Sequence, residues 1–349
     1  MTTNPNRFRL LRFPPGFRAL TALAALALAI AAVSASYALA QSRAKQIGTG
    51  VVVINTNLAY QGAQAAGTGM VLDSSGEILT NNHVIRGATT IKIVVPGTGH
   101  SYTAKVIGYD ATRDVAVLQA SGASNLRTVE LGSSATLEVG QLVKAVGNAR
   151  GAGSLVKAVG QITGLARTIT VNDDSGGTAT LHNLIETSAA LQPGDSGGPL
   201  FDAAGKVIGM DSAASGSGRY QDISTTDGYA IPINRARSIV TQIVSGKASA
   251  TVHVGATAFL GISAASSGTP GAVVASVVPG SAAAAAGLEP GDLITAVDRT
   301  KIASPAAVTR IIMTKKPGTT LTIAYVDTSG TSRTVRVKLG SGPPQRSTI

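Results

Sequence analysis

The sequence contains no cysteine. Disulfide frameworks, cysteine-ligated zinc and thiol nucleophiles are therefore excluded. Tryptophan is also missing, and aromatic residues make up only 3% of the 349 residues. A core must then be built from Val, Ile, Leu and Ala, and a hydrophobic content of 44% is enough to build one. Charge is scarce too, at 13%, and the 18 acidic residues are outnumbered by 29 Lys and Arg. The formal net charge of +11 suits weak attraction to anionic surfaces. No basic stripe interleaved with aromatics accompanies it, so nucleic acid is not expected as a partner. Only four histidines are present, which leaves few side chains able to act as a base near neutral pH.

Residues 1–18 carry Arg7, Arg9, Arg12 and Arg18, and no acidic residue precedes residue 41. The apolar run ALTALAALALAIAAV (19–33) follows, then a small-residue stretch ending Ala38-Leu39-Ala40 before Gln41. A basic region, an apolar run and a small-x-small end together predict a secretory signal peptide over 1–40. The alternative is a retained membrane anchor over 19–40, long enough to span a bilayer of about 20 residues. Either reading sends the remainder out of the cytoplasm, to the cell envelope or the exterior.

The length suits two domains plus extras. From about 48 to 232 the pattern is of short β-type runs broken by turn residues: VVVINT (51–56), GMVLD (69–73), EILTNNHVI (77–85), TIKIVV (90–95), AKVIGYD (104–110), VAVLQA (115–120), QLVKAVG (141–147), LHNLIET (181–187) and KVIGMDS (206–212). Such spacing predicts an all-β barrel or sandwich. Ile239, Val240, Ile243 and Val244 then fall at helical spacing, with Asn234 as N-cap and Gly246 as stop. A first domain over 41–246, a linker over 247–252 drawn from the small, polar SGKASAT, and a second domain over 253–341 are expected. The second unit mixes strand-like runs, FLGIS (259–263) to TVRVKL (334–339), with two helical candidates, SAAAAAGL (281–288) and SPAAVTRIIMTK (304–315). Residues 342–349 are expected to be a disordered tail.

The strongest local signal is Gly194-Asp195-Ser196-Gly197-Gly198-Pro199-Leu200. Flanking glycines let a substrate backbone approach the serine and free the Gly194 and Ser196 N–H groups to point at one spot, an oxyanion hole. A serine is a poor nucleophile without a base within hydrogen-bond reach. His83, in Thr80-Asn81-Asn82-His83-Val84-Ile85, would be held at a strand end. His100 lies in a glycine-rich turn, and His182 and His253 lie in strand-like runs and read as ordinary residues. A third group should orient the base and stabilise its cation. Asp114, in Arg113-Asp114-Val115-Ala116-Val117-Leu118, and Asp110 both qualify.

TNNHVI, RDVAVL and GDSGGPL, in the order His, Asp, Ser, resemble the triad segments of the HtrA/Deg serine proteases. The resemblance covers about residues 48–341. It implies a mainly β fold, a chymotrypsin-like double β-barrel followed by an α+β PDZ domain, and endopeptidase activity without metal or organic cofactor. His83 would be the general base, Asp114 its orienting acid and Ser196 the nucleophile, with Gly194 and Ser196 amides as the oxyanion hole. The family usually has Asn before the nucleophile, where this chain has Asp195. Ser212 sits where relatives support the triad acid and pair with substrate, so Ser212, Ala213 and Ala214 become candidate substrate-strand positions. Ala190, Tyr229, Ala230 and Ile231 are the expected neighbours of the specificity pocket. They are small or apolar, which predicts cleavage after small or medium aliphatic residues. NDDSGGT (172–178) resembles the family's regulatory loop, or is an ordinary hairpin turn. In the second domain, Phe259-Leu260-Gly261-Ile262 resembles a carboxylate-binding loop for polypeptide C-termini, with Val308 and Ile312 facing the added peptide strand. Unfolded or misfolded exported proteins are the implied substrates. A non-proteolytic chaperone or scaffold that holds polypeptide ends is the alternative. The family forms homotrimers through N-terminal aromatics, which the stretch 41–50, QSRAKQIGTG, lacks.

Overall fold

The computed structural model of the chain describes residues 48–172, 178–214 and 228–344. The expected signal peptide or anchor, and residues 173–177 of the expected regulatory loop, lie outside these. Six antiparallel strands form the first barrel: β1 (Val51–Leu58), β2 (Ala63–Val71), β3 (Glu77–Thr80), β4 (Thr90–Val94), β5 (Ser101–Asp110) and β6 (Val115–Ala120). Their order is β5-β4-β1-β2-β3-β6, and β6 pairs back onto β5. Six more strands close a second barrel: β7 (Leu142–Gly147), β8 (Val156–Asn172), β9 (Thr178–Thr187), β10 (Pro199–Phe201), β11 (Val207–Ala214) and β12 (Gly228–Pro232). Closure of the second barrel pairs each of its strands on both sides and removes the exposed edges of an open sheet.

Aliphatic residues fill both interiors. Ile54, Ile78, Ile85, Ile93 and Leu118 pack in the first, with Tyr109 the one buried ring, and Val143, Ile162, Ile185, Leu200 and Ile208 pack in the second. Alternation along β4, where Ile91 and Ile93 are buried and Thr90 and Lys92 exposed, sets which face meets the core.

The run EILTNNHVI is not one strand. β3 stops at Thr80, and Asn82–Ile85 form a single helical turn carrying His83. Asn81 and Asn82 favour turn and cap conformations over a continued strand. The helix closing the second barrel spans Ile233–Val244 and buries Ile233, Ala236, Ile239, Val240 and Ile243 at the spacing of one face. Each large aliphatic side chain buried this way contributes about 1.5–3 kcal/mol. Pro232, not Asn234, is its N-cap. Asn234 lies in the first turn and is hydrogen-bonded to Ser133 and Ser134. Gly246, at φ +73°, ends the helix as expected.

The residues after the linker do not open the second domain directly. β13 (Val252–Val254) pairs with β5 and extends the first barrel's sheet, so residues 253 and 254 belong with that barrel. The second domain comprises β14 (Thr257–Phe259), β15 (Ile262–Ala265), β16 (Ala272–Val277), β17 (Leu293–Val297), β18 (Thr300–Lys301), β19 (Thr320–Val326), β20 (Ser332–Lys338) and β21 (Gly340–Gly342), with helices Ala282–Ala285 and Pro305–Met313. Its main sheet runs β15-β16-β17-β19-β20. β15 is an edge strand there, with one side unpaired. Residues 342–344 of the expected disordered tail are held in the fold, and residues 345–349 lie outside the described residues. Gly342 pairs with Thr257, and the Pro344 carbonyl accepts a hydrogen bond from the Gly87 N–H at 3.0 Å. Backbone pairing there outweighs the polar, glycine-rich composition.

Candidate active site

β3 and the helical turn after it deliver His83, the β5–β6 turn delivers Asp114, and the β9–β10 connection delivers Ser196. The three lie far apart in sequence and meet between the barrels. His83 Nδ1 is 2.7 Å from Asp114 Oδ2, and the His83 backbone N–H donates to Asp114 Oδ1 at 2.9 Å. One carboxylate therefore orients both the ring and the backbone of the same histidine. Ser212 supplies a third donor, its Oγ lying 2.9 Å from Asp114 Oδ2. Asp114 itself sits at φ +58°, a conformation that costs a non-glycine residue about 1–2 kcal/mol. The Asn81 side chain holds it there by donating to the Asp114 carbonyl at 2.8 Å.

Asp110, the other acid considered from sequence, has a different task. Its carboxylate accepts the backbone N–H groups of Thr112 and Arg113 and pairs with the Arg113 guanidinium at 2.7 Å. It closes the β5–β6 turn. His182 bonds Thr168 on the surface, and His253 stacks on Tyr109, with burial pushing its pKa below the usual imidazole value.

Ser196 sits in a turn shaped by glycine. Gly197 has φ +86°, and a Cβ there would lie 2.2 Å from the Thr68 carbonyl oxygen. The Ser196 hydroxyl donates to the Ser212 carbonyl at 3.3 Å. The N–H groups of Gly194 and Ser196 have no acceptor among the described residues. The orientation of the first follows from its peptide plane. The Pro193 carbonyl accepts the Arg150 N–H at 2.6 Å, and in a trans peptide the Gly194 N–H must point the opposite way.

Thr68, in Gly67-Thr68-Gly69 of β2, is a hub that the sequence reading missed. Its N–H donates to the Ser196 carbonyl at 2.9 Å, its hydroxyl donates to the Gly194 carbonyl at 2.7 Å, and that hydroxyl accepts the Asn148 N–H at 2.9 Å. It clamps the serine turn of the second barrel to the first. The glycines on either side were the available signal, since they leave room for another backbone to approach.

The expected pocket neighbours divide. Ala190 is exposed. Ala230 is a correction: it is wholly buried in the core of the second barrel and cannot line a pocket. Side chains alternate along β12, and every second one must enter the barrel. Tyr229 is also buried and donates its hydroxyl to Glu186 Oε1 at 2.9 Å, while Ile231 is 1% exposed. Ser212 is buried against Asp114, and the backbones of Ala213 and Ala214 pair with Tyr229 and Gly228. Residues 215–227, which follow β11, lie outside the described residues.

In the second domain, Phe259 lies at the end of β14, and its ring stacks on Tyr60 at 5.4 Å between centroids. The N–H groups of Leu260 and Gly261 have no acceptor among the described residues, and β15 begins at Ile262. Val308 and Ile312 are a correction. They are 4% and 6% exposed and belong to the domain core, while Ala307 and Ile311, one position earlier, are only half-buried. A one-residue offset turns a helical side chain by about 100°.

The fold agrees with the comparisons. Residues 67–210 match the trypsin-like peptidase domain, and residues 258–339 match the PDZ domain. The chain is 35% identical over 314 residues to serine protease PepD of Mycobacterium tuberculosis, covering 85% of this chain and 65% of that protein. It is 35% identical to the chloroplastic protease Do-like 1 of Arabidopsis thaliana, covering 82% of this chain and 68% of that one. The chain belongs to the HtrA, or Do-like, family of serine proteases. A solved HtrA-type protease, AlgW with tripeptide, is 28% identical with a TM-score of 0.51, covering 87% of this chain and 98% of that one. Another relative is described as a probable periplasmic serine protease of Haemophilus influenzae, 35% identical, with 78% of this chain and 58% of that protein covered. The chain spans between about half and two thirds of the length of the curated relatives it matches.

Proposed function

We propose that this chain is a serine endopeptidase of the HtrA type, with His83, Asp114 and Ser196 as its triad. The bidentate hold of Asp114 on His83, through Nδ1 at 2.7 Å and the backbone N–H at 2.9 Å, is the observation that carries the reading. With Nδ1–H bound to a carboxylate, Nε2 is left as the basic nitrogen. For the reaction the Ser196 hydroxyl must leave the Ser212 carbonyl, to which it donates here, for Nε2. Ser196 Oγ attacks the peptide carbonyl carbon as His83 takes the hydroxyl proton. The oxygen of that carbonyl becomes an anion, received by the Gly194 and Ser196 N–H groups. His83 then returns the proton to the leaving amine. Water, deprotonated by His83, releases the acyl group and restores the serine.

The substrate side of the reading extends beyond these atoms. Cleavage after small or medium aliphatic side chains belongs to the same proposal, supported by the small, exposed Ala190. The unpaired edge of β15, with the free Leu260 and Gly261 N–H groups at its start, supports binding of a polypeptide C-terminus as an added strand. Export through the N-terminal segment, with unfolded exported proteins as substrates, fits the periplasmic relatives. A homotrimer, as the family resemblance implies, belongs to the same proposal. A binding module alone would have no use for the His83–Asp114 arrangement or for two unpartnered amides beside a serine.

Casein hydrolysis by the purified protein, beside the Ser196→Ala variant, tests the reading. The variant should lose at least about 10³-fold in rate, as triad removal does elsewhere. Equal hydrolysis by both proteins would remove Ser196 from the mechanism. Stimulation by a peptide with an apolar C-terminus would support the PDZ role.

A further inference from the structure

Two carboxyl groups are buried beneath the nucleophile, and the mechanism uses neither. Asp195 directly precedes Ser196 and is 5% exposed, and Asp211 directly precedes Ser212 on β11 and is 1% exposed. Their backbones interlock. The Gly197 N–H donates to the Asp211 carbonyl at 2.7 Å, the Asp211 N–H donates to the Gly198 carbonyl at 2.8 Å, and the Gly198 N–H donates to the Asp195 carbonyl at 2.8 Å. Asp195 Oδ2 accepts the Gln192 N–H at 2.8 Å. Asp195 Oδ1 and both Asp211 carboxyl oxygens are buried with no hydrogen-bond donor among the described residues.

An ionised carboxylate only accepts hydrogen bonds, and a buried one without a donor or a cation is costly. Neither is available nearby. Thr68 of β2 has its hydroxyl committed to Gly194 and Asn148. Gly147 of β7 packs against Asp195, and Ala230 of β12 lies opposite Asp211. The Asn148 amide bonds Gly67 and Gly153. Of the cations on the adjoining segments, Lys144 of β7 is half-buried, Arg150 and Lys157 are exposed, and Lys206 pairs with Glu130, with no ion pair to Asp195 or Asp211 among the described residues. Glu186 on β9 is taken by Tyr229 and Arg167. Asp211 is held well above the ordinary carboxyl value, first by burial and then by the charge of Asp195, and burial raises Asp195 as well.

We propose that Asp195 and Asp211 hold one proton between them, and that this shared proton keeps the Gly194–Gly198 turn in its working shape. The pair is then a monoanion. One carboxyl donates its proton to the other, which gives Asp195 Oδ1 and one Asp211 oxygen a partner. Loss of that proton to solvent leaves two adjacent buried anions under the serine and splays the turn that presents the oxyanion amides. Asp195 and Asp211 are positioning residues in this scheme, since neither touches substrate. The sign follows from the raised carboxyl. Its contribution is complete at low pH, declines as pH rises above the ordinary Asp value, and is gone once pH passes the raised value. The enzyme therefore has an alkaline limit set by the acid pair and independent of His83. The functional part of this proposal rests on Ser196 being the nucleophile, whereas the proton itself can be detected without any activity.

The test uses the full chain. An infrared difference spectrum between wild type and Asp211→Asn at neutral pH should show the carbonyl stretch of a neutral carboxylic acid in the wild type alone, because the Asn amide donates to Asp195 without a titratable proton. In the wild type, kcat/KM on casein-derived peptides should fall with that band as pH rises, about tenfold per pH unit beyond the transition. In Asp211→Asn this alkaline fall should vanish. At neutral pH, Asp211→Leu, which offers no donor, should show a lower kcat than Asp211→Asn with little change in KM. If Asp211→Leu does not fold, Asp195→Asn provides the donor from the other side and must likewise remove the alkaline fall. A missing acid band at neutral pH overturns the proposal. So does a band that titrates while kcat/KM stays level, or a Leu variant as active as the Asn variant. Absence of casein hydrolysis with the acid band present would refute the protease reading and leave the shared proton standing.

Discussion

Replacing Thr68 by valine should damage catalysis and stability together, although Thr68 is no part of the triad. Thr68 is fully buried, and valine matches its shape, so the change removes a hydroxyl without opening a cavity. The Gly194 carbonyl loses a 2.7 Å donor, and the Asn148 N–H loses a 2.9 Å acceptor. Each buried group left without a partner costs about 1–3 kcal/mol, and partial relaxation of the turn places the total near the lower half of the combined range, about 2–4 kcal/mol. A domain of this size loses about 2–4 °C of Tm per kcal/mol, which predicts a fall of roughly 5–15 °C. The kinetic effect is separate. The turn carrying the Gly194 amide is clamped to β2 through Thr68, and loss of one oxyanion donor costs about 10²–10³ in kcat, which sets the upper limit. A fall of about a hundredfold in kcat with little change in KM is expected, read from initial rates on a peptide substrate beside a thermal melt. Thr68→Ser keeps the hydroxyl and should recover most of both losses. A valine variant with wild-type kcat and Tm would refute the argument, as would a serine variant as impaired as valine.

Ser212→Ala removes one of three donors to the Asp114 carboxylate. A hydrogen bond to a charged group contributes about 1.5–3 kcal/mol, so kcat/KM should fall about ten- to a hundredfold while the protein stays folded, as steady-state kinetics and circular dichroism would report. Gly261→Ala places a Cβ 2.1 Å from Ser281 Cβ at a residue with φ +87°. It should abolish binding of peptides with apolar C-termini, measured by fluorescence anisotropy, while the Ser196 site still reacts with a fluorophosphonate probe.

The segments that carry chemistry are continuous strings, and they could be read before any fold was known. Gly194 to Leu200 combines a nucleophile with the glycines that its turn needs, and Asn81, His83 and Asp114 lie at the ends of recognisable β runs. Alternation and turn residues showed the all-β first domain and the mixed second one, because side-chain periodicity is a local property. Other features depend on which segments meet. Asp110 and Asp114 are equally plausible in sequence, and only the closed turn shows one capping backbone N–H groups while the other faces His83. Ala230 looks like a pocket residue until strand register places it inside the barrel. His253 and Val254 look like the start of a new domain until the end of β5 pairs with them. Thr68 and Asp211 have no motif of their own. Thr68 meets its acceptor Gly194 more than a hundred residues away, and Asp211 feels the charge of Asp195 about fifteen residues away, and both approaches come into being only when the chain is packed. The sequence by itself determined the residue types, the turns and the local periodicities, since these depend on neighbours in the chain. The tertiary structure alone decided which acid orients the histidine, which threonine clamps the serine turn and which carboxyl groups are buried together, since register, burial and long-range hydrogen bonds arise from packing.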